Sequence, residues 1–269
     1  MIKCIIQFAD IHIRNFKRHD EYAEQLNNFI EKCKNITDKY ENPQEEVRIL
    51  ICGDIVHQKT DISNELFIFV SSFLRQLSEI APVLIYAGNH DLLVNNNHKI
   101  DTLTALFETA QFTNITYIDS VLGYQSGCVK DNNIKWALFS IHDNYSKPVI
   151  EKEDNETIIA LYHGVVVGAQ LNNGFMMENG LDGDVFGNCD IAMLGDIHKY
   201  QEFHRGDCLC VYSGSLIQQT FGETVTQHGF VVWDIEKNTH EFIELENIVY
   251  KEKNFEKLFE FFLFFGLFL

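Results

Sequence analysis

Five short runs of this chain are apolar at nearly every position: Cys4–Phe8, Val47–Ile51, Val83–Tyr86, Ile158–Tyr162 and Ile191–Leu194. Runs of four or five residues, rich in β-branched and aromatic side chains, predict buried strands. A different period lies between them. From Asp20 to Ile36 the apolar residues Tyr22, Leu26, Phe29, Ile30, Cys33 and Ile36 recur at helical spacing. Ser63 is placed to cap a second helix that carries Leu66, Phe67, Val70, Phe73, Leu74 and Leu77. Pro43 marks a loop, and the polar run from Ser146 to Glu156 reads as a break between two halves of the core. The later part is richer in strands, at Ile134–His142, Cys208–Tyr212, Gly229–Asp234 and Glu241–Leu245. Strand and helix alternate with no internal repeat, which predicts an α/β fold of two sheets face to face with helices outside.

Each of the five runs stops at side chains that bind metals: Asp10 and His12; Asp54 and His57; Asn89, His90 and Asp91; His163; and Asp196 and His198. In open α/β sheets the carboxyl ends of the strands converge on one crevice, so these residues can meet although the chain separates them widely. Asp, Asn and His form a mixed oxygen and imidazole shell suited to Mn²⁺, Fe²⁺ or Zn²⁺. Hydrolysis of a phosphoester fits such a shell. Two cations roughly 3.5–4 Å apart activate a water and neutralise phosphoryl oxygens, provided one carboxylate bridges them. Asp54 is the candidate bridge.

At these residues the chain resembles the calcineurin-like metallophosphoesterases. Their pattern is Asp-x-His, Gly-Asp-x-x-(His or similar), Gly-Asn-His-(Asp/Glu), a lone His, and Gly-His-x-His. The chain departs from it once, with Asp196 at the first His of the last motif. The resemblance implies one ion held by Asp10, His12, Asp54 and His198, and a second held by Asp54, Asn89, His163 and Asp196. It also implies His90 as a catalytic acid that is not a ligand, and His57 as a group close to the phosphate. Asp91 either orients the region of His90 or is a simple turn carboxylate. The implied fold is a four-layered α/β/β/α sandwich over residues 1–248, followed by a tail at 249–269.

Around the last motifs the resemblance narrows to the SbcD-type nuclease subunit of the double-strand-break repair complex, viral and phage forms included. Tyr162-His163-Gly164, Gly195-Asp196-Ile197-His198-Lys199, Tyr212-Ser213-Gly214-Ser215-Leu216-Ile217-Gln218-Gln219, Phe221-Gly222-Glu223 and His228–Asp234 carry it. The implied activity is a two-metal, Mn²⁺-dependent DNA exo- or endonuclease acting at double-strand ends or hairpins in repair and recombination. Its partners would be DNA, a coiled-coil ABC-type ATPase and a second copy of itself, with no membrane. A small-nucleotide phosphodiesterase or phosphoprotein phosphatase is the alternative within hydrolases. A non-catalytic scaffold subunit is the alternative outside them, and the retained ligands argue against it.

Composition sets limits on this reading. With 269 residues, 46% of them hydrophobic, the chain can bury a large core. Its net charge of −18 is poorly suited to holding DNA alone, because non-specific affinity comes from Lys and Arg displacing counterions. The basic cluster Arg14, Lys17, Arg18 and His19 follows the first motif and reads as a solvated helix start or, less simply, as a phosphate contact. Seven cysteines show no zinc spacing; Cys4, Cys52 and Cys189 read as small core residues of an intracellular, non-secreted protein. The Asn-x-Thr sequons at Asn35, Asn114 and Asn155 are then accidental. Phe261 to Leu269 is too short for a membrane span of about 20 residues. A truncated or frameshifted reading frame is the favoured account of it, and a hydrophobic docking tail the other.

Overall fold

The computed structural model describes residues 1–96 and 99–246, so the tail and its Phe-rich end lie outside the described residues. In chain order the elements are β1 (Cys4–Phe8), α1 (His19–Thr37), α2 (Pro43–Glu46), β2 (Val47–Cys52), α3 (Asn64–Ile80), β3 (Val83–Tyr86), α4 (Thr102–Ala110), β4 (Ile115–Tyr117), α5 (Ile118–Val121), β5 (Gly127–Asp131), β6 (Ile134–Phe139), β7 (Thr157–His163), β8 (Ile191–Gly195), β9 (Gln201–Arg205), β10 (Cys208–Tyr212), β11 (Gly229–Asp234) and β12 (Thr239–Glu244). They form two six-stranded sheets, ordered β12-β11-β1-β2-β3-β4 and β5-β6-β7-β8-β10-β9. Strands β1 to β4 run parallel in the first sheet, as do β6, β7, β8 and β10 in the second. Antiparallel strands complete the edges.

The continuous apolarity of the central strands has a direct cause: both of their faces are covered. In the first sheet Cys4, Ile6, Phe8, Ile49 and Ile51 pack against Leu26, Phe29, Leu74 and Leu77 of α1 and α3. The opposite face, with Ile5, Leu50, Leu84 and Tyr86, meets Trp136, Leu138, Ile159, Leu161 and Met193 of the second sheet. Two polar side chains cross this apolar interface. The Gln7 amide donates to Val211 O at 3.0 Å while its carbonyl accepts from the Trp233 indole at 2.9 Å. The Tyr86 hydroxyl donates to Met193 O at 3.0 Å. At the rim, Arg48 of β2 grips Asp131 of β5 with two bonds of 2.7 and 2.9 Å.

The α/β sandwich expected from the sequence is therefore present, with its fourth layer thinner than expected. The outer face of the second sheet carries Phe139, Tyr162, Leu194 and Tyr212. Among the described residues it is covered by loop side chains such as Val166 and Ala169, and by Phe186 of the 3-10 turn Gly183–Phe186, rather than by an α-helix. Three local expectations change. Pro43 starts the short helix α2, since a proline at the first helical position has no N–H to satisfy. Strand β6 ends at Phe139, where Ser140 caps a 3-10 turn by accepting from His142 N. The polar run from Ser146 to Glu156 joins β6 to β7 within one sheet, so it does not divide the halves of the core; the chain changes sheets between β4 and β5. Cys4, Cys52 and Cys189 are buried, as expected.

The Ser63 cap forms as expected, its hydroxyl accepting from Leu66 N at 3.1 Å. Replacing an N-cap serine by alanine typically costs about 1 kcal/mol. Ser63→Ala should lower the urea midpoint by that equivalent with an unchanged m-value; an unshifted midpoint would show that the cap contributes nothing here.

Candidate metal centre

Parallel strands deliver their carboxyl ends to one edge of the sandwich. Asp10 and His12 follow β1, Asp54 follows β2, Asn89 and His90 follow β3, His163 ends β7, and Asp196 and His198 follow β8. The turns that hold these residues are tight. Asp10 (φ 53°), His12 (φ 50°), Asp54 (φ 55°) and Asp196 (φ 91°) all adopt positive φ, a conformation that costs a non-glycine residue roughly 1–3 kcal/mol and persists where surrounding contacts enforce it. The contacts here are backbone bonds from Asp10 N to Gly53 O and from His12 N to Asp54 O, at 3.2 and 3.0 Å. Gly88 is required by close approach, since a Cβ there would meet Asp54 Oδ1 at 2.1 Å.

Asp54 lies at the centre. Its Oδ2 is 3.5 Å from His12 Nε2 and 3.3 Å from His163 Nε2, while its Oδ1 accepts from His90 N at 2.7 Å. Asp10 Oδ1 is 3.9 Å from both His12 Nε2 and His198 Nε2. Donor atoms able to share a cation gather in the groups Asp10–His12–His198 and Asp10–Asp54–His163. Asp10 thus reaches both groups, where the sequence placed it at one ion only. Asp196 Oδ1 comes to 3.9 Å from His163 Nε2 but joins neither group. Its backbone N–H donates to the Asp10 carboxylate.

Several ring orientations are fixed from behind. The Nδ1 of His163 lies 2.7 Å from Cys52 O, which can only accept, so this nitrogen carries the proton and Nε2 turns its lone pair inward. The Nδ1 of His198 meets Glu223 Oε1 at 2.9 Å, with the same consequence. The Nε2 atoms of His12 and His198 approach to 3.1 Å, so one proton or one cation held between them serves both rings. Buried His163 Nε2 and Asn89 Oδ1 have no hydrogen-bond partner. Buried polar atoms are normally paired, so converging lone pairs and orphaned acceptors fit a bound cation.

The carboxylates also draw protons to the same inward nitrogens, so proton and cation compete for them. Burial pulls His163 down, but Asp54, Asp10 and Asp196 outweigh it and raise the ring well above the usual histidine range. His198, also opposed by burial, is raised to about 9 by Glu223 and Asp10. Burial raises Asp10 to about 7. Burial likewise pushes His12 well below its ordinary value, and His57 to about 4. Buried carboxylates here demand positive charge, and the imidazoles facing them are where it is felt.

His90 and His57 stand beside the two groups rather than inside them. His90 Nδ1 bonds His57 O at 2.7 Å, the two rings stack at 5.1 Å, and the His90 ring sits edge-on to His12 at 4.7 Å. Together with His12 they make a third, all-imidazole grouping. Asp91 has the geometry of a turn carboxylate, one of the two roles read from the sequence. Fully buried, its carboxylate accepts from Asp54 N at 2.8 Å and Gly88 N at 2.9 Å, so it positions the Asp54 and Gly88 turns and does not face a substrate. The basic cluster also divides. Arg18 binds Glu21 and Gln218 O, and His19 binds Arg14 O, whereas the charge of Arg14 helps depress His57.

Glu223 and the carbonyl of Cys52 escaped the sequence reading. Phe221-Gly222-Glu223 was visible there only as a segment of resemblance, because a carboxylate so far from His198 in the chain has no local pattern. A model of the calcineurin-like phosphoesterases matches residues 5–200. The chain belongs to that family. It is also 35% identical over 257 residues to an uncharacterized protein of Acanthamoeba polyphaga mimivirus, covering 91% of this chain and 18% of that protein. The phosphoesterase thus spans less than a fifth of the length of this curated relative. No helix among the described residues is long and apolar enough to cross a membrane.

Removing the carboxylate behind a metal-binding imidazole typically weakens metal affinity about 10- to 100-fold. Glu223→Gln should show that loss by calorimetric titration with Mn²⁺ while its circular dichroism matches the parent. Undiminished affinity would reduce Glu223 to a loop brace.

Proposed function

We propose that this phosphoesterase is a two-metal phosphodiesterase that cleaves DNA ends, a nuclease of the SbcD type working with Mn²⁺. The observation that carries the two-metal reading is the placement of Asp54 Oδ2 between the inward nitrogens of His12 and His163, within 3.5 Å of each. Asp10, His12, Asp54 and His198 would hold one ion, and Asp54, Asn89, His163 and Asp196 the other, with Asp10 near enough to touch both. Bound cations supply an activated water and neutralise the charge of the phosphoryl group.

The chain's own groups do the rest. Asp54 joins the two halves of the centre, and its Oδ1 ties the His90 backbone to the same point. His90, anchored through Nδ1 to His57 O, is held to present Nε2 as the acid that gives a proton to the leaving oxygen. His57, stacked on that ring beside Arg14, steadies the phosphate. Resemblance in the Tyr212–Gln219 and Phe221–Glu223 segments supports DNA as substrate. Their side chains brace the site: the Tyr212 hydroxyl donates to Gly164 O at 2.7 Å, and the Gln219 amide donates to Ile11 O at 2.8 Å. With a net charge of −18, a tight hold on duplex requires positive charge from elsewhere, which the coiled-coil ATPase would contribute. A second copy of the chain is a further expected partner.

Labelled linear duplex and bis(p-nitrophenyl) phosphate, each with Mn²⁺, Mg²⁺ or chelator, test the reading. Mn²⁺ should outperform Mg²⁺, because imidazole ligands favour the softer ion, and chelator should abolish turnover. Asp54→Ala should be inactive; full turnover in that variant overturns the two-metal centre. His90→Asn should lose roughly 10²- to 10⁴-fold in rate while keeping its metal. Parallel loss of metal would make His90 a ligand. Asp196→Ala should lose metal from one site, and Asp196→His should retain substantial activity with a changed metal preference; two ions bound by Asp196→Ala with unaltered affinity would remove Asp196 from the ligand set. Tight binding of duplex by the isolated chain at physiological salt would contradict the need for a partner.

A further inference from the structure

Beside the metal centre lies a cavity of about 350 Å³ that none of the roles above uses. Asp196 and His198 form its inner wall, so anything seated there touches the ligands. Its outer walls are two loops. One presents Leu171, Asn172 and Asn173, and the other presents Thr220 next to Glu223. We propose that this cavity is a nucleobase subsite, taking an unpaired base next to the scissile phosphate; the proposal deepens the phosphodiesterase reading and rests on it.

Three observations support a base. The first is chemical: away from Asp196, His198 and Glu223, the cavity is lined by the amides of Asn172 and Asn173, the Thr220 hydroxyl and the aliphatic Leu171 and Ile197, and no Lys or Arg is among the lining residues. A wall without Lys or Arg is unsuited to following a phosphate backbone, whereas the neutral donors and acceptors of its outer part suit the polar edge of a base. The second is that both walls are built before any ligand arrives. Leu171 N donates to Phe175 O at 2.9 Å, Gly174 N to Leu171 O at 2.9 Å, and Phe175 N to Asn173 Oδ1 at 3.0 Å, closing a turn that displays Asn172. Gln170 locks this turn to β9, its N–H donating to Gln201 Oε1 at 2.8 Å and its carbonyl accepting from Gln201 Nε2 at 2.9 Å. Across the cavity, Glu223 N donates to Thr220 O at 3.2 Å, and the Glu223 carboxylate accepts from Gln219 N at 2.8 Å.

The third is an aromatic ring on the first loop. Phe175, two residues beyond the lining Asn173, is 57% exposed. A large apolar ring so open to water on a loop that borders the cavity offers a stacking face, and stacking tolerates any base because each has a π-face. A base inside a duplex has its face covered and its edge paired. The subsite therefore selects an unpaired nucleotide, at a frayed end or in a single strand. The cavity volume lies at the lower end of the ~300–1,000 Å³ typical of small-ligand sites, which suits one nucleoside rather than a paired step.

The test uses the intact chain loaded with Mn²⁺ and a thymidine dinucleotide joined by a methylphosphonate, which keeps both bases and resists hydrolysis. Asn172→Ala, at a half-buried loop position, and Phe175→Ala, at an exposed one, should each weaken its binding about tenfold by calorimetry, the loss expected for one stacking or hydrogen-bond contact. In parallel, kcat/KM for the p-nitrophenyl ester of thymidine 5′-phosphate should fall about tenfold more than that for bis(p-nitrophenyl) phosphate, mainly through KM. Unchanged dinucleotide binding in both variants overturns the subsite, as does an equal fall on the two esters. If the parent hydrolyses neither ester, the phosphodiesterase reading fails, and the calorimetric comparison still decides whether a base binds here.

Discussion

The register between the two sheets is the constraint on which the rest of this molecule depends. Asp10, Asp54 and Asn89 come from the first sheet, and His163, Asp196 and His198 from the second, so neither sheet holds half a centre of any use alone. Apolar contact between sheets has no preferred alignment. The alignment is set by the few polar groups that cross it: Gln7, oriented by Trp233 of its own sheet, against Val211 O, and Tyr86 against Met193 O. A slip would leave these buried groups unpaired at about 1–3 kcal/mol each, enough to select one register over its neighbours. Arg48 and Asp131 pin the same alignment at the rim.

Within that frame the cluster is an expensive object. Buried carboxylates, converging imidazoles and four candidate ligands at positive φ all oppose folding. They persist because backbone groups hold them: Asp91 binds the N–H groups of the Asp54 and Gly88 turns, Cys52 O orients His163, and Glu223 orients His198. The support is as specific as the ligands. It explains how a chain can concentrate unfavourable local terms at one edge while its interior packs as two ordinary hydrophobic layers.

What the sequence made legible follows the same division. Strands such as Val83–Tyr86, Cys208–Tyr212 and Gly229–Asp234 could be read to their end residues, because burial on both faces forces continuous apolarity over a short run. The candidate ligands were legible because each sits directly at the end of such a run. Residues that act through another residue were not. Glu223 serves His198 from a different loop, and the second role of Asp10 depends on how the sheets face each other. Edge strand β9 shows alternating partial burial, and α4 is short, so both lack a strong period. Local pattern also says nothing about which sheet a strand joins, which is why the run from Ser146 to Glu156 looked like a boundary.

The thin fourth layer has a consequence for how this enzyme can change over time. The loop that follows β7 covers the outer core through Val166 and Ala169, and a few residues later it displays Leu171, Asn172 and Asn173 beside the metal centre. Where a helix roofs a sheet, selection can reshape a binding loop without disturbing the roof. Here one ribbon serves as both. Insertions or swaps that retune what the cavity accepts will be felt by Phe186 and Tyr162 underneath, so diversification of substrate preference in this lineage is tied to compensating changes in the outer core.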